Sequence, residues 1–133
     1  MSDPMKTHGM FSWNELMTTD LASAKEFYNE VFGWTFEESP SAQEGEPYVV
    51  AKVGDAMVCG MFNKPAALPA EIPPHWNGYV TVEDIDATVA KVKELGGNIL
   101  LEAMEIPGVG RMAVISDKQG AVINIITYSA ECC

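Results

Sequence analysis

The chain has 133 residues, 47% of them apolar, enough for one domain with a real hydrophobic core and too many for a disordered segment. Nineteen acidic and 8 basic side chains leave a net charge of -11, which argues against nucleic acid as a partner because that binding needs a basic surface. No apolar run approaches the ~18 residues of a membrane span, residues 1–8 have no signal-like apolar segment, and the 3 cysteines give no disulfide framework, so a cytoplasmic protein is expected.

Residues 1–9 read as a loose tail. Phe11 to Thr18 alternates as a first strand, with Phe11, Trp13, Glu15 and Met17 on one face and Leu16 on the other. Asp20 is a good N-cap. Leu21, Ala24, Phe27, Tyr28, Val31 and Phe32 then form a helical apolar stripe that Gly33 stops. Trp34 to Glu38, Tyr48 to Val53 and Ala56 to Phe62 read as three further strands, with a polar loop over residues 39–47 and a turn at Gly54-Asp55. Residues 63–74 hold four prolines and no periodic pattern, and read as a linker.

The same grammar then repeats. His75 to Val82 is a strand with Asn77, Tyr79 and Thr81 on one face and Val80 and Val82 on the other. Asp84 opens a helix with the stripe Ile85, Val89, Val92 and Leu95, and Gly96-Gly97 closes it. Strands follow at Ile99 to Glu102, Arg111 to Ser116 and Ala121 to Tyr128, the last with Asn124 and Ile126 opposite Ile123 and Ile125. The expected class is α+β. It comprises a single domain over 10–128, built as module one (10–62), linker (63–74) and module two (75–128), and a frayed tail over 129–133 that contains Cys132 and Cys133. Each helix covers one face of its sheet, so the sheets are expected to curl around a cleft with the helices outside.

The strand running Trp13 to Asp20 into Ala24-Lys25-Glu26-Phe27-Tyr28 and Val31-Phe32-Gly33-Trp34, with Gly108-Val109-Gly110-Arg111 and Asp117-Lys118-Gln119-Gly120-Ala121 in the second half, resembles the vicinal oxygen chelate superfamily. This is the glyoxalase, bleomycin-resistance and dioxygenase group. The resemblance implies paired βαβββ modules, curved mixed sheets around a cleft, and a homodimer whose modules pair within a chain or are exchanged between chains. Catalytic members hold a divalent metal with His and Glu side chains, one from the first and one from the last strand of each module. Here those positions correspond to Trp13, Asn77 and Asn124, with Cys59 or Gly60 at the fourth. An indole cannot ligate a metal and a carboxamide is a poor ligand alone, so no metal and no cofactor are expected. A shifted set of Glu15, His75 and Cys59 holding an atypical divalent metal is the alternative.

The expected ligand-binding residues are Trp13, Glu15, Met17, Cys59, Asn77, Tyr79, Thr81, Asn124 and Ile126. Trp13 offers a ring for stacking. Glu15, mid-strand between apolar neighbours, is the candidate general base, since a carboxylate placed there meets a desolvation cost unless it is paired. The expected function is binding of a small molecule without the family's metal. The alternatives are a lyase, isomerase or oxygenase with Glu15 as base, and a non-catalytic structural or regulatory dimer domain.

Overall fold

The structure is a computed structural model that describes residues 3–39, 47–130 and 132. The expected polar loop falls mostly on residues 40–46, which lie outside the described residues, as does Cys133. The elements are β1 (Phe11–Thr18), α1 (Leu21–Phe32), β2 (Thr35–Glu38), β3 (Tyr48–Val53), β4 (Ala56–Asn63), β5 (His75–Thr81), α2 (Ile85–Glu94), β6 (Asn98–Ile106), β7 (Gly110–Ser116) and β8 (Val122–Tyr128). The class is therefore α+β, a βαβββ unit used twice.

The chain divides into two compact units, Trp13–Asn77 and Met1–Ser12 with Gly78–Cys133. In the first, the strand order is β2-β3-β4-β1, with β1 and β4 parallel and the other pairs antiparallel. In the second it is β5-β8-β7-β6, with β5 and β8 parallel. A parallel pair needs a long crossover. In each unit the helix and the two intervening strands supply it, which brings the first and last strands of the module side by side.

Both helices start where an aspartate accepts an orphan N–H. Asp20 accepts from Ser23 N at 3.0 Å and Asp84 from Ala87 N at 3.2 Å. Asn63, at the end of β4, adds a second cap to α1 by accepting from Leu21 N at 2.9 Å. Gly33 ends α1 at φ 76°, a left-handed conformation open to glycine at no steric cost. The core of the first unit is Leu16, Leu21, Val49, Ala51, Cys59 and Met61, and Ala24 and Tyr28 of α1 pack against it. The core of the second is Val82, Ile85, Val89, Ala113 and Ile125.

The structure departs from the expected pattern on the helices and in β6. The α1 stripe is wider than the arc the sheet covers: Phe27, Val31 and Phe32 are more than half exposed. Phe27 and Phe32 instead join an aromatic surface cluster with Tyr28, Trp34 and Trp76, with ring centroids 5.1 to 6.1 Å apart, closed by Trp76 Nε1 donating to the Tyr28 hydroxyl at 3.1 Å. Leu95, which caps the C-terminus of α2, is likewise exposed. β6 is also longer than its apolar alternation suggests, because register shifts between Ile99 and Leu101 and between Leu101 and Met104 break the period of two.

The N-terminal stretch, expected to be loose, carries a 3-10 turn over Pro4–Lys6 and hydrogen-bonds to the end of β5. Cys132, expected in a frayed tail, donates its N–H to Ser129 O at 3.1 Å.

Candidate functional site

In the first unit, Glu15 of β1 lies beside Gly60 of β4. Alternation places Trp13, Glu15 and Met17 on the face away from α1, with Gly60 and Phe62 of β4 on the same side. Cys59 is therefore on the opposite face, and it sits 2% exposed in the core with Leu16 and Met61. The expectation that Cys59 contributes to the ligand face is corrected by this register: the residue facing Glu15 is Gly60. Burial pushes the Cys59 thiol up to about 11, so it is an inert core thiol rather than a nucleophile.

The missing side chain at Gly60 is put to use. Tyr48, on β3, lays its ring where a Cβ at position 60 would stand, and a methyl group there would overlap its hydroxyl. That hydroxyl accepts from Trp13 Nε1 at 2.9 Å and donates to Glu15 Oε2 at 2.8 Å. Phe62, opposite Tyr48 in the strand pair, stacks on the same ring at 6.2 Å. Burial, reinforced by the Glu15 charge, pushes the Tyr48 phenol far above its usual value, so it stays protonated and remains a donor. The result is an indole–phenol–carboxylate chain with each donor directed at one acceptor. Glu15 and Trp13 are brought together as expected, while Tyr48 was missed. The signal for it was a glycine in the middle of an apolar strand, which marks close approach by another group.

In the second unit, Tyr79 lies beside Asn124 and Thr81 beside Ile126. All four are buried, Asn124 at 4% exposed, and they share the face away from α2, as the alternation requires. Asn124 Oδ1 is a buried acceptor with no hydrogen-bond partner among the described residues, an arrangement that buried polar atoms seldom keep without a water or ligand. Thr81 is already engaged: its hydroxyl donates to Pro4 O at 2.6 Å. Asn77 lies two residues before Tyr79 on β5 and is half-buried. His75 directs Nδ1 to Pro73 O at 2.9 Å. Arg111 pairs with Asp86 at 2.7 Å.

A sequence profile described as Glyoxalase/Bleomycin resistance protein/Dioxygenase superfamily matches residues 10–125. The chain belongs to this superfamily. Among relatives, CFP32 of Mycobacterium tuberculosis, a glyoxylase by name, is 37% identical over 117 residues, covering 88% of this chain and 45% of that protein. Anthracycline biosynthesis protein DnrV of Streptomyces peucetius is 28% identical, covering 88% of this chain and 46% of that protein. This chain thus spans less than half the length of these curated relatives. Among solved structures, Streptomyces coelicolor methylmalonyl-CoA epimerase in complex with 2-nitronate-propionyl-CoA superposes with a TM-score of 0.67 at 15% identity, covering 93% of this chain and 100% of that one. At that identity the likeness is one of fold.

With the superfamily's arrangement in view, the four positions from which metal ligands are expected can be read off the register. Gly60 beside Glu15 corresponds to Asn124 beside Tyr79, which resolves the choice between Cys59 and Gly60. The four residues are Trp13, Gly60, Asn77 and Asn124, an indole N–H donor already bonded to Tyr48, a residue with no side chain, and two neutral carboxamides. That set does not fit a divalent ion. Among the described residues no group of three or more His, Cys, Asp and Glu side chains is arranged to hold one. The alternative set does not assemble either, since Cys59 and Glu15 lie on opposite faces of the sheet.

Proposed function

We propose that this chain is a small-molecule-binding member of the superfamily that works without the family's divalent metal. The ligand is taken up on the face of module one that carries Trp13, Glu15 and Tyr48. The observation that carries the reading is the Tyr48 hydroxyl over Gly60, bonded to both Trp13 and Glu15. A phenol occupies the space of the last-strand ligand, and its hydrogen bonds hold the carboxylate and the indole in fixed orientations.

The chemistry on offer selects the ligand. Glu15 is an acceptor when ionised, and Trp13 adds an aromatic face suited to a cation or a planar ring. The favoured ligand is therefore an organic molecule with a donor or positive charge beside an apolar or planar body. Names of relatives, an anthracycline biosynthesis protein and an epimerase complexed with a CoA ester, are in keeping with an organic ligand. The working unit on this reading is a cytoplasmic homodimer, checked by light scattering on purified protein.

The test is a thermal-shift screen of aromatic amines, polyketide-like planar compounds and acyl-CoA esters, run on protein purified without chelator and again after EDTA. A hit raises the melting temperature, because ligand bound to the folded state stabilises it, and the shift is the same after EDTA. Stoichiometric metal by elemental analysis, or a melting temperature that falls on chelation, would overturn the metal-free reading.

A second reading rests on the Glu15 carboxylate itself, half-buried and oriented by a phenol donor as a general base would be. In that case the chain is a lyase, isomerase or oxygenase. Glu15→Gln then abolishes turnover of a bound compound while leaving its binding within a few-fold.

A further inference from the structure

Residues 3–10 cross the end of β5, in the unit that holds α2 and β8. Gly9 N donates to Thr81 O and Thr81 N to Met10 O, each at 2.8 Å. The Thr81 hydroxyl donates to Pro4 O at 2.6 Å. The fourth tie is of a different kind: Glu83 N donates to His8 Nδ1 at 2.9 Å. A main-chain N–H only donates, so Nδ1 must carry no proton, and the ring is held as the neutral tautomer with its proton on Nε2.

The Pro4–Lys6 turn buries no side chain. The segment is held by hydrogen bonds rather than by apolar area, the profile of a region that opens well below the cost of global unfolding. Imidazole is also the side chain that changes charge between pH 5 and 8. Once protonated, Nδ1 becomes a donor facing another donor, and the Glu83 tie is lost. The charged groups on the surrounding elements are Asp3 and Lys6 on the segment, Glu83 and Asp84 at the β5–α2 turn, Asp86 on α2 and its partner Arg111 on β7. β8 contributes no charged group, and its Tyr128 hydroxyl is bonded to Ser12 at 2.8 Å.

We propose that residues 3–10 are a proton-released strap. It is closed over the end of β5 while His8 is neutral. Protonation of His8 removes one of its four ties, so the strap opens about three- to tenfold more often, and each opening frees the Thr81 hydroxyl on the face it shares with Tyr79 and Asn124. This inference stands independently of the ligand reading above.

The test is amide hydrogen exchange on the full chain at pH 8 and pH 5, expressed as protection factors so that intrinsic exchange chemistry cancels. In the wild type, protection at the Glu83 and Gly9 amides falls about three- to tenfold at the lower pH, the effect of losing one ordinary hydrogen bond. His8→Gln keeps an acceptor that does not titrate, so its protection is the same at both pH values. His8→Phe is low at both. Three results would each overturn the proposal: equal wild-type protection at the two pH values, the same drop in His8→Gln, or a drop shared by the core amides of Ala113 and Ile125, which reports general loosening.

Discussion

Tyr48 is joined to Trp13 and Glu15 by hydrogen bonds and to Gly60 by a close approach, and the bonds and the approach each make a prediction. Tyr48→Phe removes the acceptor of Trp13 Nε1 and the donor to Glu15, and is expected to cost about 1–3 kcal/mol in urea denaturation. Gly60→Ala forces a methyl group into the phenol and is expected to cost a similar amount, about 1–3 kcal/mol. The two sites touch, so the double variant Tyr48→Ala with Gly60→Ala is expected to be more stable than the summed losses of Tyr48→Ala alone and Gly60→Ala alone predict. Additive losses would mean the two sites do not meet. Cys59 makes a pH prediction. Its unfolded value of 9.0 rises to about 11 on burial, so between those values the folded state holds a proton the unfolded state has lost. Its contribution is complete below pH 9 and is lost as pH rises to about 11. Melting temperatures from pH 8 to 11 should fall more steeply in the wild type than in Cys59→Ala. At this scale the sequence was partly legible. Alternation alone put Trp13, Glu15 and Met17 on one face. It could not say that Gly60 rather than Cys59 meets Glu15, because that pairing joins β1 to β4 at positions far apart in the chain, with α1, β2 and β3 between them. Nor could it see Tyr48, whose role depends on a gap left by another strand.

The helices and their caps were the most legible elements, since an N-cap is a local chemical event. Asp20→Ala and Asp84→Ala should each destabilise by about 0.5–2 kcal/mol. Asp20→Ala is expected at the lower end because Asn63 supplies a second acceptor to the first turn of α1. Chemical denaturation of the two variants, with Asn63→Ala added to the first, checks the ranking. The exposed aromatic face of α1 was not legible, because a helical stripe records which positions are apolar and not which arc a sheet covers. Phe27 and Phe32 occur at core-like spacing and yet face outward. In α2 the position matching Phe27, counted from the capping aspartate, is Lys91, so the second copy carries a charge where the first exposes a ring. The N-terminal strap escaped notice for a related reason: its ties to β5 are mainly through backbone groups and one imidazole, which leave no apolar signature.

Over the whole molecule, the duplicated βαβββ plan was legible because each module repeats its strand, cap, helix and stop in the same order. The chemistry was legible only as a departure from the family pattern at Trp13, Asn77 and Asn124. The division into Trp13–Asn77 and the remainder also partitions the chromophores. All three tryptophans, Trp13, Trp34 and Trp76, fall in the first unit, where Trp34 and Trp76 stand against Tyr28 and Trp13 against Tyr48. The other unit has tyrosines such as Tyr79 and Tyr128 but no indole. Indole emission therefore watches one half of the chain melt and is blind to the other, while far-ultraviolet dichroism sees both. Coincident curves from the two probes would mean the halves come apart as one cooperative body, and an offset between them would give the order in which they let go.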